Sequence, residues 1–255
     1  MPPTSSAARA VERIATPAIP SPRPRSIRLE KVVWPSERRS LEEADQKLRR
    51  VLNVALAATG LVLTLPLMLI VAVAIKLTSP GPVFFTQKRV GLDRRDLHLP
   101  SGNWRRHENH GGRLFTLYKF RTMVDGAERD GQVWATPDDP RITRVGTFLR
   151  KYRLDELPQL WNVIRGDMNI VGPRPEQPEI FKELREQVDL YPLRQRTLPG
   201  ITGRAQINHH YDKTVDDVRI KLRYDLEYLE RQSVAEDLGI LMKTVPAVLS
   251  KKGAW

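Results

Sequence analysis

The sequence contains no cysteine in its 255 residues. That absence excludes a disulfide framework, a zinc–thiolate centre, an iron–sulfur cluster and a thiol nucleophile. The sequence also lacks the motifs GxxxxGK(S/T), GxGxxG, HExxH and GxSxG. These absences speak against an NTPase, a zinc hydrolase and a serine hydrolase. Any covalent chemistry of this chain must therefore use oxygen, nitrogen or a metal ion.

Charge is absent from one long stretch. Val51 to Ile75 is a run of 25 residues without a charged side chain, and Asn53, Thr59 and Thr64 are its only polar ones. As a helix it would be ~37 Å long, enough to cross a hydrocarbon core of ~30 Å. It begins too far from Met1 for an ordinary signal peptide, so we expect it to remain in the mature protein.

The basic charge lies on both sides of this apolar stretch. The net charge is +12, yet residues 122–255 contain 21 basic and 21 acidic side chains. A basic chain often binds nucleic acid, but basic flanks around an apolar segment fit an anionic membrane surface better. We therefore expect anionic membrane lipids, and no nucleic acid, among the partners.

The path of the apolar segment has two interpretations. A single transmembrane helix is the simpler one. Pro66, however, removes the hydrogen bond to the Val62 carbonyl and should bend the helix, with Thr64 or packing by the rest of the protein supplying partners for the freed groups. Because Lys and Arg prefer the cytoplasmic side, two basic flanks favour a re-entrant helix that enters and leaves by the same leaflet.

These features divide the chain into three parts. Residues 1–46 are expected to be a disordered Pro/Arg-rich tail with a short amphipathic lead-in. Residues 47–80 form the re-entrant membrane helix, and residues 81–255 form a catalytic domain with a polar loop insertion at 98–113. The predicted fold class is α+β: a mostly helical cytoplasmic domain with short strands, anchored by a helix–break–helix membrane segment.

Two adjacent carboxylates stand out in the catalytic domain. Asp155 and Glu156 precede Pro158, which is tolerated in a first helical turn, so Asp155 is the predicted N-cap of a helix. The predicted apolar face of that helix is Leu157, Leu160, Trp161 and Ile164. A helix start favours anions, so a solvated cap is the alternative interpretation of the two acids.

Cations surround these acids in the sequence. They are Lys119, Arg121, Arg150, Lys151, Arg153 and Arg174. Carboxylates that hold Mg²⁺ or attack phosphorus, together with Arg and Lys that neutralise phosphate oxygens, are the components of phosphoryl transfer. A surface salt-bridge network is the competing interpretation.

The chain resembles the bacterial sugar transferase family, the monotopic polyprenyl-phosphate glycosyl-1-phosphate transferases, from about Arg50 to Leu249. The motifs that carry the resemblance are the apolar segment with its proline, TSPGPVFF, QKRVG, KFRTM, LDELPQLWN, GDM, VGPRPE, and PGITG followed by AQ. The order and spacing of these motifs together make the resemblance specific.

The resemblance implies an enzyme that transfers a sugar-1-phosphate from a UDP-sugar to polyprenyl (undecaprenyl) phosphate and releases UMP. This is the first membrane step in making an exopolysaccharide, capsule, O-antigen or glycoprotein glycan. It places the chain at the bacterial inner membrane with its catalytic domain on the cytoplasmic side. A homodimer and downstream glycosyltransferases are further candidate partners.

The resemblance also implies roles for single residues. Asp155 would be the nucleophile that forms a covalent phosphosugar intermediate, and Glu156 the carboxylate that binds Mg²⁺. The predicted substrate- and phosphate-binding residues are Lys119, Arg121, Arg150, Gln159, Asp167 and Arg174. The membrane break falls at Leu65 and Pro66, where the family commonly has Ser-Pro. The alternative function is a catalytically silent membrane scaffold of a polysaccharide assembly complex, which would not need Asp155.

Overall fold

The computed structural model describes residues 39–93, 110–127, 139–209 and 214–249. The predicted tail up to residue 38 and most of the 98–113 loop lie outside this part of the chain. Helices are α1 (Arg39–Thr78), α2 (Arg144–Lys151), α3 (Gln159–Arg165), α4 (Pro178–Gln187), α5 (Arg204–Asn208), α6 (Val215–Arg231) and α7 (Val234–Leu249), with 3₁₀ turns at Leu154–Glu156 and Tyr191–Arg196. Strands are β1 (Phe84–Val90), β2 (Leu114–Phe120), β3 (Asn169–Val171) and β4 (Gly200–Thr202).

The strands form two small sheets. β1 and β2 pair antiparallel, with Phe84 opposite Phe120 and Val90 opposite Leu114. β3 and β4 pair in parallel. Helices from later in the chain pack around them, and Phe181, Leu222 and their neighbours form the largest apolar cluster of the described residues. The predicted α+β class with short strands is confirmed.

Helix α1 contains the apolar segment. Ala44–Thr78 is long and apolar enough to cross a membrane, and only 11% of its most apolar window is buried against the rest of the protein. This composition indicates membrane association. The helix continues through Pro66, so Leu65 and Pro66 mark a proline inside one helix and not the end of a helix. The re-entrant path stays a prediction.

Thr64 does not take the role expected for it. Its hydroxyl donates to the Gly60 carbonyl at 2.7 Å, one turn back, and not to the Val62 carbonyl that Pro66 leaves without an amide donor. A Thr hydroxyl bonded to the carbonyl four residues earlier often bends a helix. Thr64 and Pro66 are therefore two features, two residues apart, that commonly bend a helix.

One stripe of α1 packs against the catalytic domain on both sides of the proline. Before Pro66, Ala57 is fully buried in a cluster with Val163 of α3. After it, Ile75 is 2% exposed in a cluster with Phe120 of β2. Both halves of the apolar helix thus touch the same body of protein.

The two ends of the apolar stretch are fixed to that body as well. Arg49 donates from Nε to Asp237 Oδ2 at 2.9 Å and from Nη2 to the Tyr228 hydroxyl at 2.7 Å. At the other end, Arg121 donates from Nη2 to the Ser79 carbonyl at 2.9 Å and also bonds the Pro80 carbonyl. The turn that leaves α1 is therefore held by the end of β2.

Candidate active site

The two carboxylates lie in the 3₁₀ turn between α2 and α3. Asp155 and Glu156 are each 7% exposed. The prediction that Asp155 caps a helix is wrong, because α3 begins at Gln159 and Pro158 occupies its N-cap position. Proline has no amide to donate to the Leu154 carbonyl, so a continuous helical ladder cannot run from Asp155 into α3. Leu154 accepts from the Leu157 amide instead.

The expected apolar face of α3 is only partly correct. Leu160 and Ile164 pack against the cluster that contains Ala57, but Trp161 is 51% exposed. The buried side of α3 also includes polar residues. Gln159 and Asn162 take buried positions on it.

One carboxylate oxygen of Glu156 lies close to three cationic side chains. Its Oε1 lies 3.0 Å from Arg174 Nη2, 3.5 Å from Lys119 Nζ and 3.6 Å from Arg153 Nη1. Burial alone would raise the pKa of Glu156, but Arg174, Lys119 and Arg153 together lower it well below its usual range. Glu156 is therefore an anion at neutral pH.

Burial has the dominant effect on the pKa of Lys119. Burial lowers the pKa of Lys119 to about 8, because it outweighs the attraction of Glu156 and the Arg174 charge adds to the lowering. Lys119 is thus a cation that loses its proton close to physiological pH. Arg174 keeps its charge, since Glu156 above all raises its pKa.

Asp155 has a carboxylate oxygen for which the described residues provide no hydrogen bond. Its Oδ1 is buried and has no hydrogen bond within the described part of the chain. Burial, and then the negative charge of Glu156, raise the pKa of Asp155, while Lys119, Arg153 and Arg150 partly oppose this. A buried carboxylate oxygen without a protein hydrogen bond is costly in free energy, and its lone pairs are available for nucleophilic attack.

Arg150 faces this pair from α2. Its Nε donates to Thr122 Oγ1 at 2.9 Å. Burial lowers the pKa of Arg150, and Asp155 acts most strongly against that effect. Helix α2 can approach the segment after β2 this closely because residue 146 is glycine: a Cβ there would collide with the Thr122 carbonyl.

The structure therefore brings together Asp155, Glu156, Lys119, Arg150 and Arg174, as the sequence predicts. The other three predicted site residues, Arg121, Asp167 and Gln159, do not join this cluster. Arg121 is engaged with the turn after α1, as described above. Asp167 lies 3.3 Å from Arg165 Nε and accepts from Asn162 Nδ2 at 3.3 Å. Gln159 is 2% exposed, and its Nε2 has no partner among the described residues.

Two arginines were not assigned a site role from the sequence. Arg153 pairs with Glu156 from a left-handed backbone conformation, at φ 57°. Arg194 is 1% exposed and holds the segment that carries Arg174. The basic composition around the acids hinted at Arg153. Arg194 lies outside the run of motifs around the dyad, by which we mean Asp155 and Glu156. Nothing in the local sequence of Arg194 marks it as part of the site.

A pocket opens beside the carboxylates, and we call it the dyad pocket. It is lined by Lys151, Arg153, Glu156, Leu157, Leu160, Arg174, Ile201, Thr202, Gln206, Ile207, Thr244, Ala247 and Val248. Its residues come from the end of α2, the 3₁₀ turn and the residues beside it, α3, the loop after β3, β4, α5 and α7. The pocket gives a substrate access to Glu156 and Arg174.

The donor set suits Mg²⁺ bound together with a phosphate substrate. Within the described residues, no group of three or more His, Asp or Glu side chains could hold a metal ion alone. Mg²⁺ is commonly bound by one or two carboxylates, water and substrate phosphates. Asp155 and Glu156 supply two adjacent carboxylates, and Asp155 Oδ1 is unpartnered.

A family profile and several known proteins match most of this chain. The profile of the bacterial sugar transferase family matches residues 44–251. The chain is 40% identical over 207 residues to a UDP-N-acetylgalactosamine-undecaprenyl-phosphate N-acetylgalactosaminephosphotransferase of Aeromonas hydrophila, covering 81% of this chain and 45% of that protein. It is 37% and 38% identical to UDP-glucose:undecaprenyl-phosphate glucose-1-phosphate transferases of Escherichia coli and Caulobacter vibrioides. These matches cover 84% and 81% of this chain, and 43% and 72% of those relatives. The chain thus spans less than half the length of the Aeromonas and Escherichia proteins.

Proposed function

Because the chain belongs to the bacterial sugar transferase family, we propose that it transfers a sugar-1-phosphate from a UDP-sugar to undecaprenyl phosphate and releases UMP. The similar proteins named above carry this class of reaction in their names. The observation that carries the proposal is the buried Asp155, whose Oδ1 has no hydrogen bond among the described residues, beside a carboxylate that three cations contact. That arrangement suits a carboxylate that reacts at a phosphate.

The reaction proceeds in two displacements. An Asp155 oxygen attacks the phosphorus that carries the sugar, and the bond from that phosphorus to the bridging oxygen breaks, so that UMP leaves with the electron pair. An oxygen of the lipid phosphate then attacks the same phosphorus and displaces Asp155. Splitting one transfer into two steps is the usual gain of covalent catalysis.

The surrounding residues stabilise charge. Arg150, Arg174 and Lys119 offset the negative charge that the phosphate oxygens gain in the transition state. Arg153 and Arg174 hold Glu156 beside Asp155. When bound, Mg²⁺ would be held by Glu156 and would compensate charge on the diphosphate.

We also propose a re-entrant path for α1, with the catalytic domain on the cytoplasmic side of the inner membrane. Arg49 before the apolar stretch and Ser79 after it are both tied to the catalytic domain. A helix that crossed the bilayer would carry one of these ends to the far side. A re-entrant path holds the dyad near the headgroups, where a lipid phosphate and a soluble nucleotide sugar meet.

The test is UMP release. Purified protein in detergent is mixed with Mg²⁺, undecaprenyl phosphate and, one at a time, UDP-glucose, UDP-galactose, UDP-N-acetylglucosamine and UDP-N-acetylgalactosamine. We expect UMP from at least one donor, with an equal amount of lipid-linked sugar phosphate. A stable, well-folded protein that releases no UMP with any donor would favour a silent scaffold instead.

A further inference from the structure

The dyad pocket combines two kinds of lining residue. Lys151, Arg153 and Arg174 are cationic and outnumber the one acid, Glu156. The rest of the lining is dominated by an apolar wall made of Leu157, Leu160, Ile201, Ile207, Ala247 and Val248. A ligand that matches both parts carries a phosphate and a hydrocarbon.

The apolar wall offers little to a nucleotide. A base and a ribose need hydrogen-bond partners when they are bound away from water. The neutral polar residues of the lining are Gln206, Thr202 and Thr244. The two threonines bring hydroxyls to the pocket, but Thr244 Oγ1 donates to the Ile240 carbonyl at 2.8 Å. The 2.8 Å bond between the two hydroxyls must then be donated by Thr202, so both hydroxyl protons are already used.

The apolar wall also adjoins the membrane helix. Leu160 lines the pocket, and its Cδ1 would lie 3.2 Å from a Cβ placed on Gly60 of α1. Gly60 belongs to the uncharged stretch, close to Val62 and Leu63, which are more than 70% exposed. Leu160 therefore connects the apolar wall of the pocket with the apolar surface of α1.

Resting on the proposed function, we propose that the apolar wall binds the first isoprene units of the polyprenyl phosphate acceptor and that Lys151 and Arg153 bind its phosphate. The acceptor phosphate would then lie beside Glu156 and close to Asp155. The nucleotide would bind outside the apolar wall, so the donor and the acceptor would reach the dyad from different directions.

The experiment compares two valines on helix α7. Val248 lines the pocket, whereas Val245 lies on the outer side of the same helix and is 59% exposed. Val248→Trp and the matched control Val245→Trp are titrated in detergent with farnesyl phosphate, a short polyprenyl phosphate, and separately with UDP. Equilibrium binding by calorimetry gives a Kd for each probe, whether or not the protein turns over.

We expect Val248→Trp to raise the Kd for farnesyl phosphate by about tenfold or more, because a filled apolar site rejects a hydrocarbon ligand strongly. The Kd for UDP, and both constants of Val245→Trp, should stay unchanged. If Val248→Trp does not fold, Val248→Thr places a hydroxyl in the same volume and should weaken farnesyl phosphate binding in the same direction.

A rise in the Kd for UDP alone would assign the pocket to the nucleotide sugar and overturn the proposal, as would unchanged binding of both probes. These outcomes differ from failure of the proposed function, which is the absence of UMP release by the unmodified protein.

Discussion

Arg194 donates from Nη2 to the backbone carbonyl of Arg174 at 3.0 Å. The same guanidinium bonds Glu176, Asp225 and the Tyr191 hydroxyl, so all its donors are directed to named partners. Because Arg174 in turn reaches Glu156, Arg194 fixes the position of one of the three cations that contact Glu156. It acts as a positioning residue behind the site.

Replacing Arg194 should therefore affect both stability and activity. Arg194→Lys keeps the charge but cannot bond four partners in one plane, so we expect the free energy of unfolding to fall by about 3 kcal/mol, the scale for a disrupted buried ion pair. UMP release should fall as well. Urea unfolding is the measurement.

The control for this change is Arg219→Lys. Arg219 is exposed and pairs with Asp216 on the surface of α6, and such pairs contribute little to stability. Equal unfolding midpoints for Arg194→Lys and Arg219→Lys would contradict the positioning role.

The variant Asp155→Asn tests whether Asp155 is needed for the reaction without being needed for stability. An amide cannot form the acyl phosphate, so we expect UMP release to fall by about 10³-fold or more. Burial raises the pKa of Asp155, which means that its ionisation opposes folding as the pH rises through that pKa. Removing the charge should not lower the urea midpoint at neutral pH.

The matched control is Asp189→Asn, which changes an exposed aspartate after α4. It should leave both UMP release and the midpoint unchanged. Substantial UMP release by Asp155→Asn would remove Asp155 from the role of nucleophile.

The sequence predicted the composition of this site better than its geometry. Asp155 and Glu156 are adjacent, but Lys119 and Arg174 lie 37 and 18 residues from Glu156, and it was the family motifs, not closeness in sequence, that predicted them as part of the site. Arg121 shows that a motif does not reveal which groups a side chain binds. A guanidinium can donate to phosphate oxygens or to backbone carbonyls, and only the fold shows that the carbonyls of Ser79 and Pro80 are its partners.

Long-range pairs could not be predicted for a related reason. Arg194 and Arg174 are 20 residues apart, and Arg49 and Asp237 are 188 apart. No local pattern selects one buried partner among many charged residues. The start of α3 was misplaced because proline tolerates two roles, the first helical turn and the residue before it.

The pH dependence of activity should report Lys119. Its pKa is lowered to about 8, so Lys119 changes from a cation to a neutral amine as the pH rises through that value. A neutral amine no longer attracts a phosphate, and kcat/KM for the UDP-sugar, which reflects the free enzyme, should fall above about pH 8.

Lys119→Arg tests the assignment, since a guanidinium stays charged over this whole range. We expect the fall in kcat/KM above about pH 8 to disappear in this variant and to persist in Lys182→Arg, which alters an exposed lysine of α4. An unchanged pH profile in Lys119→Arg would assign the titration to another group.

The path of α1 can be read from two engineered thiols. The chain has no cysteine, so Gln46→Cys and Lys88→Cys, both at exposed positions, can be labelled without background. A re-entrant helix places both on the cytoplasmic side, and both should resist a membrane-impermeant reagent until the cells are permeabilised. Labelling from outside at position 46 alone would show a spanning helix.

The variant Pro66→Ala tests whether the proline determines the path of α1. The substitution restores the amide that can bond the Val62 carbonyl and makes a straight helix more favourable. Arg49 and Arg121 still hold the two ends of the apolar stretch to one domain, and Ala57 and Ile75 remain packed on either side of residue 66. We therefore expect both thiols to stay protected in Pro66→Ala. Exposure of position 46 in that variant would mean that the proline itself, and not the contacts with the catalytic domain, turns the helix back.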